Sequence, residues 1–349
     1  MTLSPVNGST NRQIVGIDIG GANLKYASLD GRTLSRSFAM WRKHEQLAST
    51  LAEDLASLGG SDEIAVTMTG ELADCFLDRE LGVQHIVEHT EQAAAAVGIT
   101  RVSYYGVDGN FHAAAGAQSN VDLIAAANWH ALASFVAADV ADALLVDIGS
   151  TTTDIIPIRD GRVATEAHSD FDRLLEGSLV YVGCQRTPVC ALLDHLCFGG
   201  RQIPVMNEWF ATIDDARLLL GFQAEDPSDN DSADGKPRTA EFAANRLARM
   251  IGLDRRHVDA VAARELARQV VDAAKCRIGA AVQKSAGASG RLVLSGHGQD
   301  LVEASGATEI IQFADRFGSA CSRAAPAYAV ARLCQRYDPD DAHVVAVPS

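Results

Sequence analysis

The chain predicts an α/β fold of two lobes with an active-site cleft between them. Three observations predict it. First, an apolar strand ending in Asp and a Gly-rich turn occurs twice. The copies are Ile17-Asp18-Ile19-Gly20-Gly21-Ala22-Asn23-Leu24-Lys25 and Val146-Asp147-Ile148-Gly149-Ser150-Thr151-Thr152-Thr153-Asp154. Second, each copy opens a strand pair followed by helices, which describes two α/β halves. Third, 349 residues at 47% apolar composition supply a core to each half.

Taken in order, residues 1–12 read as a flexible tail and 13–140 as lobe I. Gln13–Asp18 is a strand, Leu24–Leu29 its hairpin partner across Asp30-Gly31, and Ser35–Trp41 a third strand. His44–Leu58 has the apolar period of a helix stopped by Gly59-Gly60. Glu63–Met68 is a strand ending in Thr69-Gly70-Glu71. A helix and a strand later comes the turn Val107-Asp108-Gly109-Asn110-Phe111, then one Ala-rich helix, Ile124–Val140. Lobe II covers 141–319. It opens on the strand Ala143–Ile148, with which Asp154–Ile158 pairs through the Asp160-Gly161 turn. The insert 225–236, rich in Asp, Ser, Pro and Gly, reads as an exposed, mobile loop. Arg238–Met250 and Val258–Lys284 are helices, and Arg291–Leu294 is a strand leading into Ser295-Gly296-His297-Gly298. Residues 320–338 form a helix returning to lobe I, and 339–349 a tail. The Ala- and Gly-rich helices indicate tight packing.

A net charge of −15 argues against nucleic acid or an anionic membrane as partner. No apolar run reaches membrane-span length, and the polar start is unlike a signal peptide. The seven cysteines lack metal-site spacing; Cys184, Cys190 and Cys197 are six and seven apart. They read as reduced thiols of a cytoplasmic protein. A homodimer is left open.

The repeated loop suits phosphate. Glycine tolerates the tight turn and lets backbone N–H groups approach an anion. Gly20, Gly21, Asn23, Gly149, Ser150, Thr151 and Thr152 are the loop contacts, and Asp18 and Asp147 the carboxylates for Mg²⁺. Two such loops facing each other would clamp a di- or triphosphate. Lys25, Arg186 and Lys275 are candidate anion contacts, with Thr187 beside Arg186. Lys25 reads equally as a solvated edge residue, and Arg186 equally as a partner of an internal carboxylate. His85 and His89 share a helical face near Glu88 and Glu91. That face reads as solvated rather than as a metal site, because a third ligand is missing. His297 reads as a turn residue.

The order of these motifs resembles the actin, sugar-kinase and Hsp70 superfamily. In that alignment Asp18–Lys25 and Asp147–Asp154 are the two phosphate loops, and Thr67–Glu71 is a connecting segment. Leu294–Gly298, with Gly296 and Gly298, is the adenosine motif. The resemblance implies an actin-like ATPase (ribonuclease H-like) fold. Further stretches resemble the hydantoinase/oxoprolinase-like branch linked to the tetrahydromethanopterin one-carbon pathway. These are Thr69-Gly70-Glu71-Leu72-Ala73-Asp74, Ala126-Ala127-Asn128-Trp129-His130-Ala131-Leu132-Ala133, Asp147–Pro157, Leu179–Gly183 and Arg186-Thr187-Pro188. That resemblance implies a transferase in methanofuran biosynthesis. It would join a furan-methyl diphosphate to a tyramine-type phenol and release diphosphate.

Such chemistry needs three things: neutralisation of the leaving group, support for a cation-like carbon, and a base for a phenol of ordinary pKa near 10. Glu71, Asp108 and Asp154 are the candidate bases, with Glu71 and Asp154 preferred. Trp129 and Tyr181 are candidate stacking partners, though Trp129, on an Ala-rich helix, reads more often as packing between the lobes. Mg²⁺ is the expected cofactor, and ATP is left open. The alternatives are an ATP-dependent kinase or ring-opening hydrolase, for which Ser295-Gly296-His297-Gly298 is a thin adenosine signature, and a non-catalytic nucleotide-binding module.

Overall fold

The computed structural model describes residues 12–285, 290–303 and 306–337. Residues 1–11 of the expected tail 1–12, and the expected tail 339–349, lie outside these. Arg12, expected in the first tail, donates to the buried Glu63 carboxylate at 2.5 Å.

The chain divides into two compact units. The first holds a sheet of β1 (Ile14–Ile19), β2 (Asn23–Ser28), β3 (Thr33–Ser37), β4 (Glu63–Met68), β5 (Arg101–Tyr105) and β6 (Phe111–His112), in the order β3-β2-β1-β4-β5-β6. β1 runs antiparallel to β2 and parallel to β4, which is parallel to β5. Side chains alternate along β1. Val15, Ile17 and Ile19 join the core beneath the helices Leu47–Leu58 and Arg79–Ala96, with Leu51, Val66, Met68 and Ile86. Gly16 and Asp18 therefore point to the opposite face. There the helix Ala325–Arg336 lies directly on the strand, and a Cβ at Gly16 would sit 1.9 Å from the Ala327 carbonyl oxygen. Ala325, Ala327, Ala329 and Ala331 are fully buried. The small-residue composition thus serves close helix-on-strand packing, as the sequence indicated.

The second unit contains β7 (Ala143–Ile148), β8 (Thr153–Arg159), β10 (Leu179–Val180), β13 (Arg291–Gly296) and β14 (Glu309–Gln312), in the order β10-β8-β7-β13-β14. The short β9 (Arg162–Val163) pairs with the far end of β8, so the Asp160-Gly161 turn joins β8 to β9 and not β7 to β8 as expected, and β11 (His195–Phe198) with β12 (Arg201–Pro204) makes a separate hairpin. β13 is parallel to both β7 and β14. The core combines Val146, Ile148, Leu292 and Leu294 with Leu266, Val270 and Ile278 of the helix Ala260–Ser285.

Several boundaries differ from expectation. Residues 158–172 and 313–319 group with the first unit, not with 141–319. Gly161 N–H donates to the Ala141 carbonyl at 2.9 Å, and the Phe313 ring lies 6.1 Å from Phe135. The third strand ends at Ser37. Phe38 and Met40 N–H groups donate to the Ala22 and Gly21 carbonyls, both at 2.9 Å, drawing the chain across the first loop into a helical turn, Met40–Lys43.

The helix expected over 124–140 is broken. A turn, Val121–Ile124, precedes the helix Asn128–Ala137, and Ala126 lies between them at φ 51°. The Leu123 carbonyl accepts from Val107 N–H at 2.9 Å, so it is engaged outside the helix. The last helix is also split, into Ser319–Arg323 and Ala325–Arg336, because Pro326 has no N–H to continue the ladder.

The acidic insert is exposed but held. Arg238 bridges Asp229 at 2.7 Å and Asp214 at 2.8 Å, while Asp234 bridges Arg246 at 3.0 Å and Arg249 at 3.2 Å. The face bearing His85 and His89 is not simply solvated. Their rings stack at 3.8 Å, and His85 Nε2 sits 3.1 Å from the His44 carbonyl. Among the described residues no three His, Cys, Asp or Glu side chains converge as a metal cage. The cysteines are free thiols, and no helix among the described residues is long and apolar enough to cross a membrane.

Candidate active site

In the first unit the site is built at the carboxyl end of parallel strands, where open α/β sheets present their ligands. Asp18 on β1 is paired in register with Lys25 on β2 and with Thr67 on β4. Residues so paired share one face. Asp18 and Thr67 are buried, and Lys25 is half-buried. The loop closes by Gly20 N–H donating to the Asn23 carbonyl at 3.0 Å. A Cβ at Gly20 would come within 2.9 Å of that oxygen, whereas one at Gly21 would meet open space.

The segment after β4 is fastened to the same loop. Thr69 and Gly70 N–H groups both donate to the Ile19 carbonyl, at 2.9 and 3.0 Å. Gly70 packs on Gly20, a Cβ there lying 3.1 Å from the Gly20 carbonyl. This places Glu71, which is 1% exposed. Among the described residues its Oε2 has no hydrogen-bond partner. Burial pushes its carboxyl up from 4.5 to about 7; Asp170 and Asp18 add to the rise, against Arg79 and a hydrogen bond from its own backbone. A carboxyl so poised exchanges protons near neutrality, as a general base must.

The second loop repeats the first. Gly149 N–H donates to the Thr152 carbonyl at 2.9 Å, and Asp147 pairs in register with Ser295 on β13. A turn, 183–187, lies over it. Cys184 N–H donates to the Gly149 carbonyl, and Gln185 and Arg186 N–H groups to that of Ser150, at 2.9–3.1 Å. A Cβ at Gly183 would fall 2.5 Å from the Ser150 and Thr151 backbone. Ser150, Thr151, Thr152 and Arg186 are thus gathered in one place, with Arg186 exposed.

Other expected contacts have different roles. Thr187 is buried, and its hydroxyl accepts from Gly183 N–H at 2.9 Å and lies 3.2 Å from the Gly183 carbonyl, locking the turn. Gly296, at φ 83°, and Gly298 let their segment cross the end of β7. Cβ atoms there would lie 2.1 Å from the Ile148 carbonyl oxygen and 2.4 Å from the Ile148 side chain. Asp154 stands seven residues after Asp147, as Lys25 does after Asp18. It is ion-paired to the buried Arg173, which ties its carboxylate to a structural partner rather than leaving it for proton transfer. Trp129 is 1% exposed and edge-on to His130 at 5.3 Å, so its ring is core, with no face for a substrate. Tyr181 is 66% exposed. Asp108 sits 3.1 Å from His112 Nε2, and Lys275 lies 3.9 Å from Glu303.

Arg217 is a site residue that sequence reading missed. Buried on the helix Ile213–Leu220, it donates to the Cys184 carbonyl at 2.9 Å and the His297 carbonyl at 3.0 Å. It also forks onto Asp300 at 2.7 and 3.0 Å. One guanidinium thereby joins the turn over the second loop to the 296–300 segment. The signal was a lone Arg before Leu218-Leu219-Leu220, but a single sequence does not say which face of that helix is buried.

Each unit offers oxygen donors suited to a hard cation: one buried carboxylate per loop with a hydroxyl in register, Thr67 or Ser295. That set fits Mg²⁺, which is commonly held by one or two carboxylates together with substrate phosphates.

These features define an α/β protein with the actin-like ATPase fold. The nucleotide-free acetone carboxylase structure, from a study of ATP-dependent acetone carboxylation, superposes with a TM-score of 0.51 at 11% identity, covering 94% of this chain and 71% of that one. That likeness concerns the fold. The Hydantoinase/oxoprolinase description matches residues 62–337, and the chain belongs to that family. It is 35% identical over 332 residues to the (4-{4-[2-(gamma-L-glutamylamino)ethyl]phenoxymethyl}furan-2-yl)methanamine synthase of Methanocaldococcus jannaschii, covering 93% of this chain and 98% of the relative. The synthase of the same name from Methanococcus vannielii is 31% identical over 211 residues, covering 58% of this chain and 95% of that protein.

Proposed function

We propose that this protein is a transferase that makes the phenoxymethyl-furan ether of the methanofuran core. A furan-methyl diphosphate is the donor, and the phenol of γ-glutamyl-tyramine is the acceptor. The observation that carries this reading is Glu71: a buried carboxyl of near-neutral proton affinity, fastened to the first phosphate loop in a chain 35% identical to a synthase of that ether.

The reaction forms a bond from the phenol oxygen to the furan-methyl carbon and breaks the bond from that carbon to diphosphate. The bonding pair leaves with the diphosphate, and the phenolic proton passes to the Glu71 carboxylate. The Gly20–Asn23 loop and Lys25 offer the departing anion donors and charge. In its own unit, the second loop offers Ser150, Thr151, Thr152 and Arg186 in the same way. Mg²⁺, held by Asp18 or Asp147, would supply charge neutralisation to phosphate oxygens. Tyr181 presents an exposed ring to an aromatic substrate.

The test is to mix protein, Mg²⁺, the furan-methyl diphosphate and γ-glutamyl-tyramine, and to follow diphosphate and the ether by mass spectrometry. Acceptor-dependent ether supports the reading. ATP turnover without ether moves the protein to the kinase or ring-opening class.

A further inference from the structure

Gly82 stands in the first turn of the helix Arg79–Ala96, a position where glycine weakens a helix relative to alanine. Its backbone is not left-handed, so conformational freedom does not explain it. Space does. A Cβ at residue 82 would lie 1.9 Å from the Glu71 carbonyl oxygen, 2.6 Å from its carbonyl carbon and 2.8 Å from its Cα. The helix is therefore in backbone contact with the residue whose carboxyl is the candidate base. The same turn is capped by Asp78, which accepts from Leu81 N–H at 2.9 Å.

We propose that Gly82 is a positioning residue for Glu71: its lack of a side chain lets the first helical turn close over the Glu71 backbone and hold the carboxylate in its water-poor place. This rests on Glu71 being the base. No smaller residue exists, so any substitution pushes the Glu71 segment away from the helix. Glu71 would then meet water, and its affinity for a proton would fall toward that of an ordinary carboxyl. The charged groups that face it are Asp170, Arg79 and Asp18, and none of them is changed by the substitution.

The experiment measures kcat, KM and the pH–rate profile of the full chain, with Mg²⁺, the furan-methyl diphosphate and γ-glutamyl-tyramine. Gly82→Ala is expected to lower kcat by at least about tenfold, leave both KM values within about twofold, and move the pH midpoint downward. Asp78→Ala loosens the same turn without adding volume, and is expected to act in the same direction by about two- to fivefold. The double variant Glu71→Gln/Gly82→Ala is expected to be no slower than Glu71→Gln alone, because Gly82 acts through Glu71. Wild-type kcat and pH midpoint in folded Gly82→Ala overturn the proposal, as does full additivity in the double variant. If Gly82→Ala does not fold, an unchanged kcat and midpoint in Asp78→Ala overturns it. Undiminished activity in Glu71→Gln instead removes the base assignment itself, a separate result.

Discussion

Lys25 stands directly across the β1–β2 ladder from Asp18, with Thr67 in register on the other side of the aspartate. A cation and an anion opposite each other on one face give the first loop a balanced pair. Under the proposed function, Asp18 would be the carboxylate for Mg²⁺ and Lys25 would supply positive charge to the diphosphate. Lys25→Ala is expected to lower kcat/KM for the diphosphate by about 10²-fold without unfolding the protein. Steady-state kinetics, with a thermal melt as control, check it.

Asp147→Ala removes the corresponding carboxylate of the second loop. If Asp147 helps to bind diphosphate, activity is expected to vanish while circular dichroism and the melting temperature stay close to wild type. Near wild-type turnover would strip the second loop of its anion-binding role.

Glu71 couples rate and stability to pH in opposite senses. If Glu71 is the base proposed above, it works when ionised, and kcat/KM is expected to rise with pH through about 7. Its folded-state affinity for a proton is raised above the ordinary 4.5. Its contribution to stability is therefore full below about pH 4.5 and is lost as pH rises through about 7. The loss amounts to about 3 kcal/mol. Glu71→Gln is expected to abolish the rate limb and to be relatively more stable than wild type at pH 8. Denaturant titrations of both proteins at pH 5 and pH 8 test the sign.

Trp129→Ala tests the core placement of that ring. A cavity at a 1% exposed indole is expected to cost about 3–5 kcal/mol of stability, with the KM of each substrate unchanged in whatever fraction stays folded. A raised KM at little cost in stability would return Trp129 to the substrate.

Asp154→Asn removes a countercharge from the buried Arg173, and is expected to destabilise the fold by about 3–5 kcal/mol. Replacing both, as Asp154→Asn/Arg173→Met, is expected to recover much of that loss. If Asp154 acted on substrate protons, the double variant would be stable and inactive.

How much of this was legible beforehand depended on range. The two Asp-Gly loops and strands such as Glu63–Met68 and Ala143–Ile148 are written in a few adjacent residues, and the structure has them where the sequence placed them. The family was legible for the same reason. The break at Ala125–Ala127 was not, because alanines give no local sign that a tertiary hydrogen bond engages the Leu123 carbonyl. Trp129 carries both a binding and a packing reading in the sequence, and its burial supports packing. Arg217, Arg173 and Gly82 depend on which helical face turns inward and how close two backbones come. An acidic insert looks loose in a sequence that does not show Arg238, Arg246 and Arg249 closing on it.

The contact between Gly16 and Ala327 has a consequence for biosynthesis. The helix that covers β1 leaves the ribosome some three hundred residues after the strand it covers. During synthesis that face of the first sheet has no lid, while the second unit, whose segments all lie between 143 and 312, is already complete in sequence. The second unit can therefore fold first, and the first must wait with apolar surface uncovered. A ribosome stall before residue 325 would leave a chain that carries both Asp-Gly loops yet cannot close the sheet that bears Asp18.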